Sequence, residues 1–369
     1  MAEDWYRIAN EGEIPSPALL VYPDRIFRNL ERMVEIICDP NRLRPHVKTH
    51  KLPEIIGMQL SVGITKFKCA TIAEAEMVAG SRGPDVLLAY QPVGPNAVRL
   101  RFLADRYPDT VWSTLVDDLG MVQILSEVFA GTESGLGVYL DLDCGMHRTG
   151  IEPGPEARAI CEAVVKAPHL ILKGLHSYDG HNHEADLAER TAKCEKDFAP
   201  VLAFRKELEV AGIEIPNLLA SGSPTFPIHA QHDDRECSPG TTVLWDFGYG
   251  DRFADLPFES GAVLLTRIIS KPGPNRLCLD LGHKAVAADK PLPRARLFGL
   301  EEAVSALHSE EHLTVETDQA DSFAVGDCCY AVPAHICPTV ALHDIAWVVR
   351  DGSATQSWEI SARRRSLGV

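Results

Sequence analysis

The 369-residue chain has no apolar run approaching the ~20 residues that a helix needs to cross a bilayer. That excludes a helical membrane span. Its start, Met-Ala-Glu-Asp-Trp-Tyr, has no apolar segment of the kind a secretory leader carries. Positive charge is scarce: 36 Lys and Arg stand against 52 Asp and Glu, for a net charge of −16. A surface of that sign repels a nucleic acid duplex and an anionic membrane, so neither is expected as a partner. A small anionic ligand is not excluded, because it needs only a local positive site. The ten cysteines form no CxxC and none of the spacings of a small disulfide scaffold, which predicts a cytoplasmic protein with mostly free, buried thiols. No GxGxxG follows an early strand, which counts against a doubly wound dinucleotide-binding sheet. Internal repeats and low-complexity linkers are also missing.

What is present reads as a globular α/β chain. Hydrophobic residues make up 45% and charged residues 24%. Short β-branched runs at Leu43–Lys48, Thr65–Cys69, Asp85–Ala89, Thr110–Leu115, Gly137–Leu142, Leu170–His176, Asn217–Ser221 and Arg235–Ser238 read as strands. Between them, segments such as Ile72–Gly80, Gly94–Arg106, Pro155–Lys166 and Leu187–Ala211 carry helix formers in amphipathic order. This alternation predicts a TIM-type (β/α)8 barrel over residues 23–245. Beyond that, Gly261–Ser270, Arg276–Leu281, His312–Glu316, Cys328–Val332 and Ala346–Val349 read as strands with few helices among them. Residues 246–369, together with 1–22, are therefore expected to form a β-rich domain. The early strand Ala18–Tyr22 either adds to the barrel or crosses to that domain.

Chemistry-bearing residues gather at predicted strand ends. Lys48 lies in Arg44-Pro45-His46-Val47-Lys48-Thr49-His50-Lys51, at the C-terminal end of the first barrel strand, where barrel active sites form. A buried amine beside other cations is suited to attack an aldehyde, although a basic surface loop has the same composition. Arg148 sits in the turn Asp143-Cys144-Gly145-Met146-His147-Arg148-Thr149-Gly150. Tyr178, His181 and His183 follow the strand ending at His176; three histidines so close fit a solvated loop, a metal site or a substrate contact. Two small-residue loops, Ser221-Gly222-Ser223-Pro224-Thr225 and Ser238-Pro239-Gly240-Thr241, follow adjacent late strands, as barrel phosphate sites do. Late in the chain, His335-Ile336-Cys337 follows a strand. In extended backbone such a pair shares one face, about 6.5–7 Å apart, and can ligate one divalent ion.

In this order the motifs resemble those of the D-threonine aldolase/D-serine dehydratase family, and the resemblance runs from about Ile14 to the C-terminus. These are fold-type III pyridoxal-phosphate (PLP) enzymes with an alanine-racemase-like barrel and a β domain. The resemblance implies that Lys48 is the Schiff-base lysine, with His46 beside the cofactor. Arg148 is then a cofactor contact and Tyr178 lies against the pyridine ring. Phosphate contacts come from Ser221, Gly222, Ser223, Thr225, Gly240 and Thr241. Of His181 and His183, the second is favoured to face the substrate. His335 and Cys337 are implied as metal ligands; a thiolate suits zinc, and the family's His-x-Asp version suits manganese or magnesium. A homodimer is expected. The implied reaction is retro-aldol cleavage of a β-hydroxy-D-amino acid to glycine and an aldehyde. A D-serine or 3-hydroxy-D-aspartate dehydratase would use the same residues. A PLP homeostasis protein without turnover would need only the barrel, and a racemase would need a tyrosine base, for which only Tyr249 and Tyr330 are available late in the chain.

Overall fold

A computed structural model of the chain describes residues 4–132, 135–220 and 222–368. The chain forms two compact units. The first comprises Met1–Arg32, Thr49–Leu52 and Thr241–Arg363, and the second Met33–Lys48, Pro53–Gly240 and Arg364–Val369. Among the described residues no helix is long and apolar enough to cross a membrane.

The second unit is an α/β barrel. Seven parallel strands pair in chain order: Lys66–Cys69, Asp85–Leu88, Val111–Val116, Leu136–Leu142, Leu170–Ser177, Asn217–Ala220 and Glu236–Cys237. Every residue of Leu136–Leu142 is buried, as a parallel strand covered on both faces requires. The helices between strands begin where the sequence supplies caps. Thr71, Asp118 and Asp186 each accept a hydrogen bond from a backbone N–H three residues on, and Pro95 and Pro155 open their helices.

The expected first barrel strand, Leu43–Lys48, is corrected. It makes only two isolated bridges, Leu43 to Cys237 and His46 to Lys68. The chain then tightens into a single helical turn at Val47–Thr49. Pro45 has no N–H to give to a ladder, so this stave joins the last strand to the first through isolated bridges instead of a continuous strand.

Side chains two apart on a strand share a face, so the barrel interior is layered. At the N-terminal ends of the strands Arg44 is fully buried, with Asp85 at 2.5 Å and Glu236 at 3.1 Å, and Lys66 also pairs with Glu236. Above them Leu87, Leu115, Tyr139 and Leu219 form an apolar layer. Asp141 lies two residues beyond Tyr139 and Lys68 two beyond Lys66, and with His176 they form a polar cluster inside the barrel.

The first unit is built on a nine-stranded sheet. Its central strand Ala262–Gly273 pairs antiparallel with Ala18–Val21, Arg276–Leu279 and Cys328–Pro333. Ala18–Val21 therefore belongs to this sheet, where it also runs parallel to Ile345–Arg350. Ile8, Ile14, Leu20, Val263, Leu265 and Tyr330 are part of the core on one face.

Candidate active site

In the second unit, Lys48 lies half-buried just past the bridge at His46, and its backbone N–H donates to His46 Nδ1 at 3.4 Å. Arg148 and Tyr178 are held by rigid turns. Asp143 accepts from the N–H groups of Gly145 (2.9 Å) and His147 (3.0 Å). Gly150, at φ 95°, donates to Asp117 at 2.9 Å, and a Cβ there would lie 2.8 Å from backbone atoms. Arg148 is thereby placed with its guanidinium carbon 5.0 Å from the Tyr178 ring centroid. The tyrosine folds back over Gly180, where a Cβ would sit 2.1 Å from the ring.

A second cation meets the same ring from inside the barrel. Lys68 Nζ is 5.5 Å from the Tyr178 centroid. It is 2.7 Å from His176 Nε2 and 3.3 Å from Ser238 Oγ. The parallel register sets Asp141 opposite His176, and Asp141 Oδ1 lies 2.6 Å from His176 Nδ1. Burial, and then the charges of Lys48 and Arg148, bring the Lys68 amine down to about 7 against the pull of Asp141 and Asp179.

The carboxylate following Tyr178 ties this loop to the first small-residue loop. Asp179 Oδ1 accepts from Gly222 N–H (2.9 Å) and from the Thr225 hydroxyl (2.8 Å), and Oδ2 accepts from His229 Nε2 (2.9 Å). Burial alone would raise this carboxyl, but His229, Thr225 and Gly222 together outweigh it and hold it at about 2. Cys194 Sγ lies 3.3 Å from His229 Nε2 and 3.6 Å from Asp179. The three donors are within 4.8 Å of one another, as metal ligands are. Their protons and lone pairs are nevertheless engaged with each other, and His229 Nδ1 accepts from Arg235 at 2.9 Å. The cluster reads as a hydrogen-bonded clamp. The two loops also meet directly, since Gly240 N–H donates to Ser223 Oγ at 3.1 Å. Ser221 lies outside the described residues.

The two loop histidines differ. His181 Nε2 is 2.8 Å from Asp197, which Lys193 also binds, and its buried Nδ1 has no partner among the described residues. His183 is exposed.

In the first unit the expected extended His-x-Cys pair is corrected. The strand ends at Pro333, His335 caps a short helix and Cys337 lies in that helix's first turn. The two side chains still meet. Burial would raise the Cys337 thiol, but His335, Thr241 and Thr49 together lower it. The thiol is 3.2 Å from the Thr49 hydroxyl and 3.4 Å from that of Thr241. His335 Nδ1 lies 2.6 Å from Asp289, which leaves Nε2 as its ligating nitrogen. Tyr330, one of the two tyrosines a racemase reading would need, is buried and donates to Glu11 at 2.6 Å.

The donor sets fit the two implied groups. Lys68 and Arg148 at an aromatic ring, with Lys48 near Lys68 and the N–H and hydroxyl groups of two loops, suit an anionic aromatic aldehyde bearing a phosphate. A lowered thiol beside an oriented imidazole suits a divalent ion with affinity for sulfur.

The family model for the alanine racemase N-terminal domain matches residues 21–245, more than half of the chain. The chain belongs to the alanine racemase-like family. A model for a putative serine dehydratase domain matches residues 261–349, so this is the D-threonine aldolase/D-serine dehydratase-like branch. A D-threonine aldolase from Arthrobacter sp. is 28% identical over 326 residues, covering 87% of this chain and 85% of the relative. The crystal structure of D-threonine aldolase from Filomicrobium marinum matches with a TM-score of 0.89 at 27% identity, over 97% of this chain and 98% of that one. A D-threo-3-hydroxyaspartate dehydratase from Delftia sp. is 24% identical over 375 residues, covering 94% and 97%. Within this alanine racemase-like barrel, the sequence reading missed Lys68, Asp141, His229 and the roles of Asp179 and His176. The available signal was a polar residue two positions after an inward-facing one, as in Lys66-x-Lys68 and Tyr139-x-Asp141.

Proposed function

We propose that this enzyme, a lyase, uses PLP and a divalent metal to cleave β-hydroxy-D-amino acids in the manner of a D-threonine aldolase, giving glycine and an aldehyde. The observation that carries the reading is the gathering of Lys48, Arg148, Tyr178 and the linked 222–225 and 238–240 loops in one unit, in a chain that aligns with D-threonine aldolases over most of its length. Lys48 would hold the cofactor through its amine, Arg148 and Tyr178 would flank the ring, and Gly222, Ser223 and Gly240 would meet the phosphate. Bound PLP supplies an electron sink for the pair released at Cα. His335 and Cys337 would hold the metal, which acidifies a hydroxyl that it binds. We assign removal of the β-hydroxyl proton to an imidazole nitrogen of His183, which is exposed, whereas His181 is half-buried against Asp197. A homodimer belongs to the same reading.

Elimination is the second reading, favoured by the serine dehydratase domain match and the Delftia relative. In it Lys48 takes the Cα proton and the hydroxyl leaves. Incubation with PLP, a divalent metal and D-threonine, D-serine or D-3-hydroxyaspartate separates the two. Glycine with acetaldehyde or glyoxylate supports the first, and ammonia with a 2-oxo acid the second. Borohydride reduction of the PLP-loaded protein should label Lys48, and Lys48→Ala should abolish both label and turnover. A fully active Lys48→Ala protein would end both readings.

A further inference from the structure

Lys68 is a buried amine that the reaction outlined above leaves without a task. It is 4% exposed, at the top of the barrel interior. Its nitrogen faces His176 and Asp141 on neighbouring strands, Ser238, the Lys48 turn, Arg148, and Tyr178 with Asp179 in the loop beyond. His176 is fixed by its own bonds. Its Nδ1–H donates to Asp141, so Nε2 presents a lone pair to Lys68.

Counting protons then gives the role. A neutral amine has two N–H donors, and His176 Nε2 and Ser238 Oγ accept both. An ammonium has three. The third has no acceptor among the described residues, and it faces a region already crowded by Lys48 and Arg148. A third donor in such a place is favourable only when an anion arrives to take it.

We propose that Lys68 is a recognition residue for an anionic oxygen, a carboxylate or a phenolate, and that it takes up a proton when that anion binds. The inference rests on reading the second unit as a PLP site. The phenolate would be the cofactor's and the carboxylate the amino acid's, and the experiment separates them. In the ligand-free protein Lys68 titrates at about 7, so about nine-tenths of it is neutral at pH 8 and about one-tenth at pH 6. An anion beside it raises that value, and the missing fraction of a proton is drawn from solvent.

Proton uptake is measured by titration calorimetry in buffers of differing ionisation heat. PLP is added to the metal-loaded, PLP-free protein, and glycine, which has no β-hydroxyl to cleave, is added to the PLP-loaded protein. At pH 8 the wild type should take up about 0.9 proton more than Lys68→Arg in one of the two arms, because arginine stays charged throughout. Excess in the PLP arm names the phenolate, and excess in the glycine arm the carboxylate. Lys68→Met should weaken binding in the same arm by roughly 10- to 100-fold, the loss of one charge-assisted hydrogen bond. If the variants do not fold, the wild type alone decides, since its uptake must fall steeply between pH 8 and pH 6. Equal uptake at both pH values, or equal uptake by wild type and Lys68→Arg in both arms, overturns the proposal. If borohydride fails to fix PLP on Lys48, the PLP reading has failed instead.

Discussion

Replacing Asp179 by Asn tests the clamp behind the Tyr178 loop. Holding this buried carboxyl at about 2 instead of its ordinary 3.8 contributes roughly 2 kcal/mol at neutral pH. Because the folded value is depressed, that contribution is complete above about pH 4 and is lost as the pH falls through about 2. Asparagine removes the charge and turns one acceptor oxygen into a donor. In one amide orientation the new NH2 faces His229 Nε2–H, and in the other it faces Gly222 N–H. His229 cannot switch tautomer to relieve the clash, because its Nδ1 accepts from Arg235. Leaving buried donors without acceptors costs about 1–3 kcal/mol each, so Asp179→Asn should destabilise the protein by about 2–4 kcal/mol. The assay is the urea midpoint at pH 7.5, followed by circular dichroism. A change under about 0.5 kcal/mol, within the range of an ordinary surface substitution, refutes the reasoning. If the three donors instead held a metal, chelator would lower the midpoint. In a His335→Ala background, where the other candidate metal position is lost, chelator should leave it unmoved.

Other expectations follow from the same geometry. Asp289→Asn should weaken zinc binding by about 10- to 100-fold in equilibrium dialysis, since Asp289 orients His335; undiminished affinity would remove Asp289 from the site. His183→Ala should lower kcat by about 10²- to 10⁴-fold with little change in thermal midpoint. His181→Ala should lower the midpoint, because it breaks the contact with Asp197; the reverse pattern would exchange the two roles. Arg44→Met should destabilise the protein, as it takes the guanidinium from Asp85 and leaves Glu236 with Lys66 alone at the barrel floor. An unchanged urea midpoint would show that those carboxylates find water.

The barrel was legible because parallel strands buried on both faces leave continuous apolar runs, such as Leu136–Leu142. The stave carrying Lys48 has the apolar residues of a strand at Leu43 and Val47, but Pro45 and the turn at Val47–Thr49 interrupt the ladder. His335 and Cys337 meet by a geometry other than the extended one expected of them. A spacing of two brings side chains together in a strand, but here a helix cap turns Cys337 back onto His335. The Asp179 clamp was not legible, since it joins residues 15 and 50 positions apart and no local period links them.

The barrel's layering bears on why the upper charges exist. The floor of Arg44, Lys66, Asp85 and Glu236 is internally compensated, with two cations against two carboxylates. The apolar layer of Leu87, Leu115, Tyr139 and Leu219 lies above it. The upper layer is not balanced in the same way. Asp141 is spent on His176, while Lys68 and Arg148 meet one tyrosine ring, and the nearby charges of Lys48 and Arg148 disfavour that of Lys68. Buried charges of one sign destabilise a fold, and apolar side chains of similar volume would pack there at lower cost. Folding stability therefore gives no account of Lys68, whereas an anion delivered from outside the chain would. On this argument Lys68→Met should raise the urea midpoint of the PLP-free protein while weakening the binding of the anion. A variant that lost both stability and binding would place Lys68 with the floor, as a structural ion.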